Sequence, residues 1–209
     1  MKKRLQLGTS RLEKLTLPQL EVFLDKSWLH LGEETLENPN NRQLKKVDYT
    51  KTNFEPFYFN KGDKLNFQDN TFDYIFSEHF FEHLFLDEAV DLMGENYRVL
   101  RLTGAMRIVV PDADLRPTPE IIGFPGDEYS WNHPRKHKTR WSIYSMTLAL
   151  ESQGFEVLPI KYYDKKGNLY DKLDELPLKE HEGLSDYEML SNRDHIKREN
   201  SLILDAIKR

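Results

Sequence analysis

The feature that most constrains the fold is the run Phe72-Asp73-Tyr74-Ile75-Phe76-Ser77. Aromatic and β-branched residues fill it, and Asp69-Asn70 supplies a turn before it, so it reads as a buried, central strand. The period then changes. From 86 to 100 the apolar positions Leu86, Ala89, Val90, Met93, Tyr97 and Leu100 recur at three- and four-residue spacing, which predicts an amphipathic helix, with Gly104 as its left-handed cap. Met106-Arg107-Ile108-Val109-Val110 follows as a second short strand, stopped by Pro111. Strands separated by helix-period segments are the pattern of a parallel sheet joined by helices.

The same alternation extends in both directions. Arg4-Leu5-Gln6-Leu7 is a strand ending at Gly8, and Trp28-Leu29-His30-Leu31 another, closing before Gly32-Glu33-Glu34. Between them lies an apolar-rich segment, 12–23, and after them a polar loop, 34–43, built around Asn38-Pro39-Asn40-Asn41. Pro117, Pro119, Gly123, Pro125 and Gly126 punctuate a long connection, so residues 113–141 are expected to form a lid or substrate loop. Ser142 is placed to N-cap a helix running to Gln153, Gly154 to stop it, and Phe155-Glu156-Val157-Leu158 to open another strand. Residues 164–200 are charged and poor in apolar runs, and 201–207 read as a last strand. The expected architecture is a single α/β domain over 1–209, Rossmann-like and doubly wound, with a mostly parallel sheet and helices on both faces.

Composition removes several functions. Thirty-five acidic residues against 30 basic ones, a net charge of −5, give no electrostatic reason to expect nucleic acid as a partner. The absence of cysteine excludes disulfides, thiolate nucleophiles, zinc ribbons and iron–sulfur sites. No apolar run approaches the roughly 18 residues of a membrane span, and the N-terminal apolar stretch is too short for a signal core. The expectation is a soluble, cytoplasmic protein without a membrane partner.

Ligands of open α/β sheets bind beyond the carboxyl ends of the strands. That rule selects Gly8-Thr9-Ser10, Glu33-Glu34, Ser77-Glu78-His79 and Asp112-Ala113-Asp114. A glycine after the first strand lets backbone approach a ligand closely, and an acid after the second accepts hydrogen bonds from ribose hydroxyls.

These positions stand in an order that resembles a known family. Residues 65–84, Leu-Asn-Phe-Gln-Asp-Asn-Thr-Phe-Asp-Tyr-Ile-Phe-Ser-Glu-His-Phe-Phe-Glu-His-Leu, are similar to the "LPF-x-DNSFD…S-x-H-x-x-EH" signature of class I S-adenosylmethionine-dependent methyltransferases. Residues 95–104 resemble the family's "E-x-x-RVLKPGG", and 106–112 its following "LRIVVPD" strand. His133, His137-Lys138, Trp141 and Gly154-Phe155 resemble the "H…W…L…GF" tail of a small subgroup. The resemblance implies S-adenosylmethionine as cofactor and a small-molecule acceptor, with Gly8, Thr9, Ser10, Glu33, Asp63, Ser77 and Glu78 at the cofactor. The chain departs from the family where Leu7-Gly8-Thr9-Ser10 keeps one glycine of "LGCG", and where Gly32 takes the place of the ribose-binding acid, leaving Glu33 nearest. A methyltransferase-like binding protein without activity is therefore a competing expectation.

Methyl transfer from a sulfonium needs positioning and at most one general base, for which His79 and Asp112 are the candidates. The basic run 132–141 is expected to bind an anionic acceptor through His133, Arg135, Lys136, His137 and Arg140. No metal is expected for that reaction. One further reading does use one: His79-Phe80-Phe81-Glu82-His83 fits the H-x-x-E-H pattern of inverted zincins, which would make the protein a zinc hydrolase.

Overall fold

The computed structural model describes residues 3–8, 27–32, 53–115, 128–133, 136–172 and 201–209. Over these the chain forms β1 (Arg4–Leu7), β2 (Trp28–Gly32), β3 (Phe54–Pro56), β4 (Phe72–Glu78), α1 (Leu86–Val99), β5 (Leu100–Pro111), α2 (Ile143–Ser152), β6 (Phe155–Tyr163), β7 (Leu169–Asp171) and β8 (Ser201–Lys208). The strands make one sheet in the order β3-β2-β1-β4-β5-β8-β6-β7. β1 pairs in parallel with β2 and β4, β2 with β3, and β4 with β5. β8 is antiparallel to both β5 and β6, so β1 to β6 share one direction and only β7 and β8 oppose it. The fold is Rossmann-like α/β with a mostly parallel sheet.

Side chains along each strand alternate between two layers. One collects Leu5, Leu7, Ile75, Met106, Ile108 and Leu204 under Leu92 and Met93 of α1 and Met146 and Leu150 of α2. The other holds Trp28, Tyr74, Phe76, Val109, Ile203 and Ile207. On that second face Arg107 and Asp205, opposite each other in the β5–β8 register, form two 2.7 Å hydrogen bonds while nearly wholly buried. Nothing in a strand-period reading identifies that pairing, because it joins residues 98 positions apart.

α1 begins and ends close to expectation, but Gly104 does not cap it. The helix stops at Val99 and β5 starts at Leu100, pairing with Phe72. The register then jumps from Phe72↔Leu100 to Tyr74↔Ala105, which leaves 101–104 as a bulge. Thr103 takes the left-handed backbone there (φ 63), while a Cβ on Gly104 would stand 2.9 Å from the Arg101 carbonyl oxygen. Crowding inside the bulge, and not a helix end, is what requires that glycine. The Ser142 cap is as expected: its hydroxyl accepts from the Ser145 amide, and Gly154 turns the chain with φ +95 after α2. β3 and β7, three residues each, have no counterpart in the sequence pattern, and β6 continues to Tyr163. β8 lies between β5 and β6, with seven consecutive residues buried. Residues 9–26, 33–52 and 173–200, which include the 12–23 segment and the 34–43 loop, lie outside the described residues, as do 116–127 and 134–135 of the lid.

Candidate functional site

β1 is flanked by β2 on one side and β4 on the other, so the strand order reverses there and a crevice opens beyond their carboxyl ends. Gly8 closes β1 with φ +82 and donates its N–H to the Leu31 carbonyl at 2.9 Å. A Cβ at this position would stand 2.8 Å from Cβ of Phe80, so the turn closes as bare backbone against that ring. Phe80 follows β4, and its ring lies 6.1 Å from that of Phe57. Phe57 in turn donates its amide to the Gly32 carbonyl at 2.9 Å. One phenylalanine thus sits where the ends of β1, β2 and β4 meet, and no periodicity in the sequence pointed to it.

The exit from β4 carries the chemistry. Ser77 is fully buried, and its hydroxyl has no hydrogen-bond partner among the described residues. Glu78 is half-buried. His79 leaves the strand with φ 49, a conformation uncommon outside glycine, held by its amide donating to the Val109 carbonyl at 2.8 Å. A single 3₁₀ turn, Phe81–His83, follows. Glu82, 1% exposed, accepts a hydrogen bond on Oε1 from Nδ1 of His79 at 3.0 Å. Its other oxygen, Oε2, is buried with no partner among the described residues. Burial alone would raise the Glu82 pKa, but the His79 hydrogen bond and the charges of His79, His83 and His137 outweigh it and hold the carboxyl below its ordinary value. His83 donates Nδ1–H to the Lys136 carbonyl at 3.2 Å, which leaves Nε2 3.9 Å from Glu82 Oε1. The His137 ring stands edge to face on His83, with centroids 4.8 Å apart.

A strap, residues 136–141, lies along this turn. The Lys138 and Thr139 amides donate to the Glu82 carbonyl at 2.7 and 3.2 Å, and Thr139 Oγ1 and Trp141 Nε1 donate to the Phe81 carbonyl at 3.1 and 3.4 Å. Trp141 also bridges to Asp112 at the end of β5. The Asp112 carboxylate accepts from the Tyr163 amide at 2.7 Å on one oxygen and from the Asp114 amide at 2.9 Å on the other. Burial raises its pKa, and those two hydrogen bonds offset only part of the rise. Of the basic run, Lys136 is buried with its ammonium 5.3 Å from the Trp131 ring centroid, and Lys138 lies 4.7 Å from that of Phe85. Two of its cations are therefore covered by aromatic faces. Arg140 is exposed, and His133 stacks on Tyr129 at 4.3 Å.

The structure thus brings His79, Glu82, His83 and His137 into one cluster beside the Gly8–Phe80 contact. Asp63 is not part of it: its carboxylate accepts from the Asn60 amide at 2.8 Å and closes a local turn. Thr9, Ser10, Glu33 and Arg135 lie outside the described residues. The H-x-x-E-H pattern does not lie on a helix, since His79 precedes the single turn in a left-handed conformation.

Residues 29–108 match the family model described as "Methyltransferase domain". No curated protein matches the chain in sequence. Among solved structures, a SAM-dependent methyltransferase of Archaeoglobus fulgidus is similar over 99% of this chain and 86% of its own, with TM-score 0.55 and 18% identity. An S-adenosylmethionine-dependent methyltransferase of Mesorhizobium loti is similar over 99% and 90%, with TM-score 0.56 and 13% identity. SpnF, a (4+2)-cyclase, is similar over 99% and 74%, with TM-score 0.53 and 15% identity. Over nearly its whole length the fold is similar to those of these S-adenosylmethionine-dependent methyltransferases. No described helix is long and apolar enough to cross a membrane.

Proposed function

We propose that the chain catalyses methyl transfer from S-adenosylmethionine to a small, anionic acceptor at the crevice between the carboxyl ends of β1 and β4. The carrying observation is Gly8: a left-handed glycine, backed by Phe80, ends β1 at the point where the strand order reverses. The cofactor supplies an electrophilic methyl group on a sulfonium. Bare backbone at Gly8 and the buried hydroxyl of Ser77, without a partner among the described residues, are the groups that suit it. Thr9, Ser10, Glu33, Glu78 and Asp63 complete the set that the family resemblance implies.

His79 is the general base in this reading. Its Nδ1–H is committed to Glu82, so Nε2 is the basic nitrogen, and the carboxylate stabilises the imidazolium that forms when the acceptor gives up its proton. Both oxygens of Asp112 are occupied by backbone amides, so we assign it to holding the ends of β5 and β6. His133, Arg135, His137 and Arg140 remain our candidates for the acceptor's negative charge, and the protein acts in the cytoplasm.

Calorimetric titration with S-adenosylmethionine and S-adenosylhomocysteine tests the reading. We expect one-to-one binding of both. No heat at millimolar cofactor would remove the transferase and leave a methyltransferase-like binding protein, a reading that the cyclase among the structural neighbours makes concrete.

A further inference from the structure

We propose that Glu82, His83 and His137 form a site for a divalent transition-metal ion of the zinc type, at the junction of the β4 exit turn and the 136–141 strap. The ligand atoms of these three residues lie within 4.8 Å of one another. A tetrahedral zinc ion with bonds of about 2.0–2.1 Å keeps its donors about 3.3 Å apart. The widest pair therefore closes by about 1.5 Å, a side-chain rotation, when an ion enters.

Two observations favour a cation over an ordinary polar cluster. Glu82 is 1% exposed, yet Oε2 has no hydrogen-bond donor among the described residues, a costly state for a buried carboxylate oxygen. Next, the tautomer of His83 is set from outside. The Lys136 carbonyl can only accept, so Nδ1 is the donor, and Nε2 stands on the Glu82 side, 3.9 Å from Oε1.

The surroundings are those of a metal site. The His83 N–H on a backbone carbonyl, and the His79 N–H on Glu82 Oε1, are hydrogen bonds of the kind that fix metal ligands in orientation. This differs from the H-x-x-E-H reading in its third ligand: His137 of the strap coordinates, which leaves His133, Arg135 and Arg140 for the acceptor, and His79 orients Glu82. Two imidazoles and one carboxylate suit zinc, cobalt, nickel or iron over magnesium or calcium, and leave a coordination position for water or a ligand. The ion would clasp the strap to the β4 turn whether or not the neighbouring cleft binds S-adenosylmethionine.

The test uses full-length protein, stripped with a chelator and dialysed. Titration with cobalt(II) alone should give visible absorption bands that saturate at one ion per chain, and zinc should displace it. Zinc should also raise the thermal unfolding temperature. Glu82→Gln and His137→Ala should each weaken cobalt binding at least about tenfold, while His133→Ala leaves it unchanged. Circular dichroism checks that each variant is folded. His137 is partly exposed, so His137→Ala carries the comparison if Glu82→Gln fails to fold. No stoichiometric cobalt or zinc binding to the wild type, or equal binding by folded His137→Ala, would overturn the proposal.

Discussion

The two halves of the 65–84 block are held in opposite ways. Residues 65–73, at the amino end of β4, are pinned by arginines reaching back from the end of α1 and the start of β5. Arg98 donates to the Leu65 and Phe67 carbonyls at 2.9 and 2.7 Å and pairs with Glu95 and Asp69. Glu95 itself accepts from the Leu65 amide at 2.7 Å, and Arg101 reaches Asp73 at 2.8 Å. Most of the polar atoms there are spent on holding one loop to one helix. Residues 77–84, at the carboxyl end, instead carry a buried serine hydroxyl and a glutamate oxygen without partners among the described residues, and a histidine in a left-handed conformation. A single recognisable motif therefore joins a clamp to a site, and only its second half invites a ligand.

That division is open to experiment. Gly8→Leu places a side chain in a left-handed conformation and drives it into Phe80. The affinity for S-adenosylhomocysteine should fall by at least about a hundredfold, or ~2.7 kcal/mol, in calorimetry. Arg98→Ala acts on the other half, removing hydrogen bonds between a charged group and two carbonyls. Urea unfolding should show a loss of about 2 kcal/mol, with cofactor affinity of the folded protein unchanged. A fall in affinity as large as that of Gly8→Leu would break the distinction between clamp and site.

Smaller effects sharpen it. Asp112 has a pKa raised by burial, so it favours the folded state below the ordinary aspartate value, and that contribution is lost as pH rises through the raised one. Unfolding free energies measured across this window should fall with pH more steeply in the wild type than in Asp112→Asn; parallel curves would contradict the assignment. Asp73→Ala removes a half-exposed ion pair with Arg101, and its loss of that pair should cost under about 1 kcal/mol in the same assay.

The parts of the fold that show in the sequence are those set by local chemistry. β4 is visible from its residues, α1 from its period, and the start of α2 from the Ser142 cap. Gly104 departs from the cap its position predicts because a glycine after a helix pattern looks the same whether it ends the helix or fills a bulge; only the register of β5 against β4 separates the two. β3 and β7 are too short to show a period. At the site, His79, Glu82 and His83 are adjacent in the chain and were recognised together. Their convergence with His137 depends on the strap folding back over the Phe81–His83 turn, 54 positions away by number from His83 to His137, and no local pattern encodes that. The covering of Lys136 and Lys138 by Trp131 and Phe85 is likewise tertiary, which is why a basic run read as anion-binding has two of its cations on aromatic faces.

The most direct test of the central claim is a crystal structure of the protein with S-adenosylhomocysteine. The account predicts the ligand beyond the carboxyl ends of β1 and β4, against the backbone of Gly8 and within reach of Ser77. Density for the ligand elsewhere, with the Gly8–Phe80 turn unengaged, would contradict it.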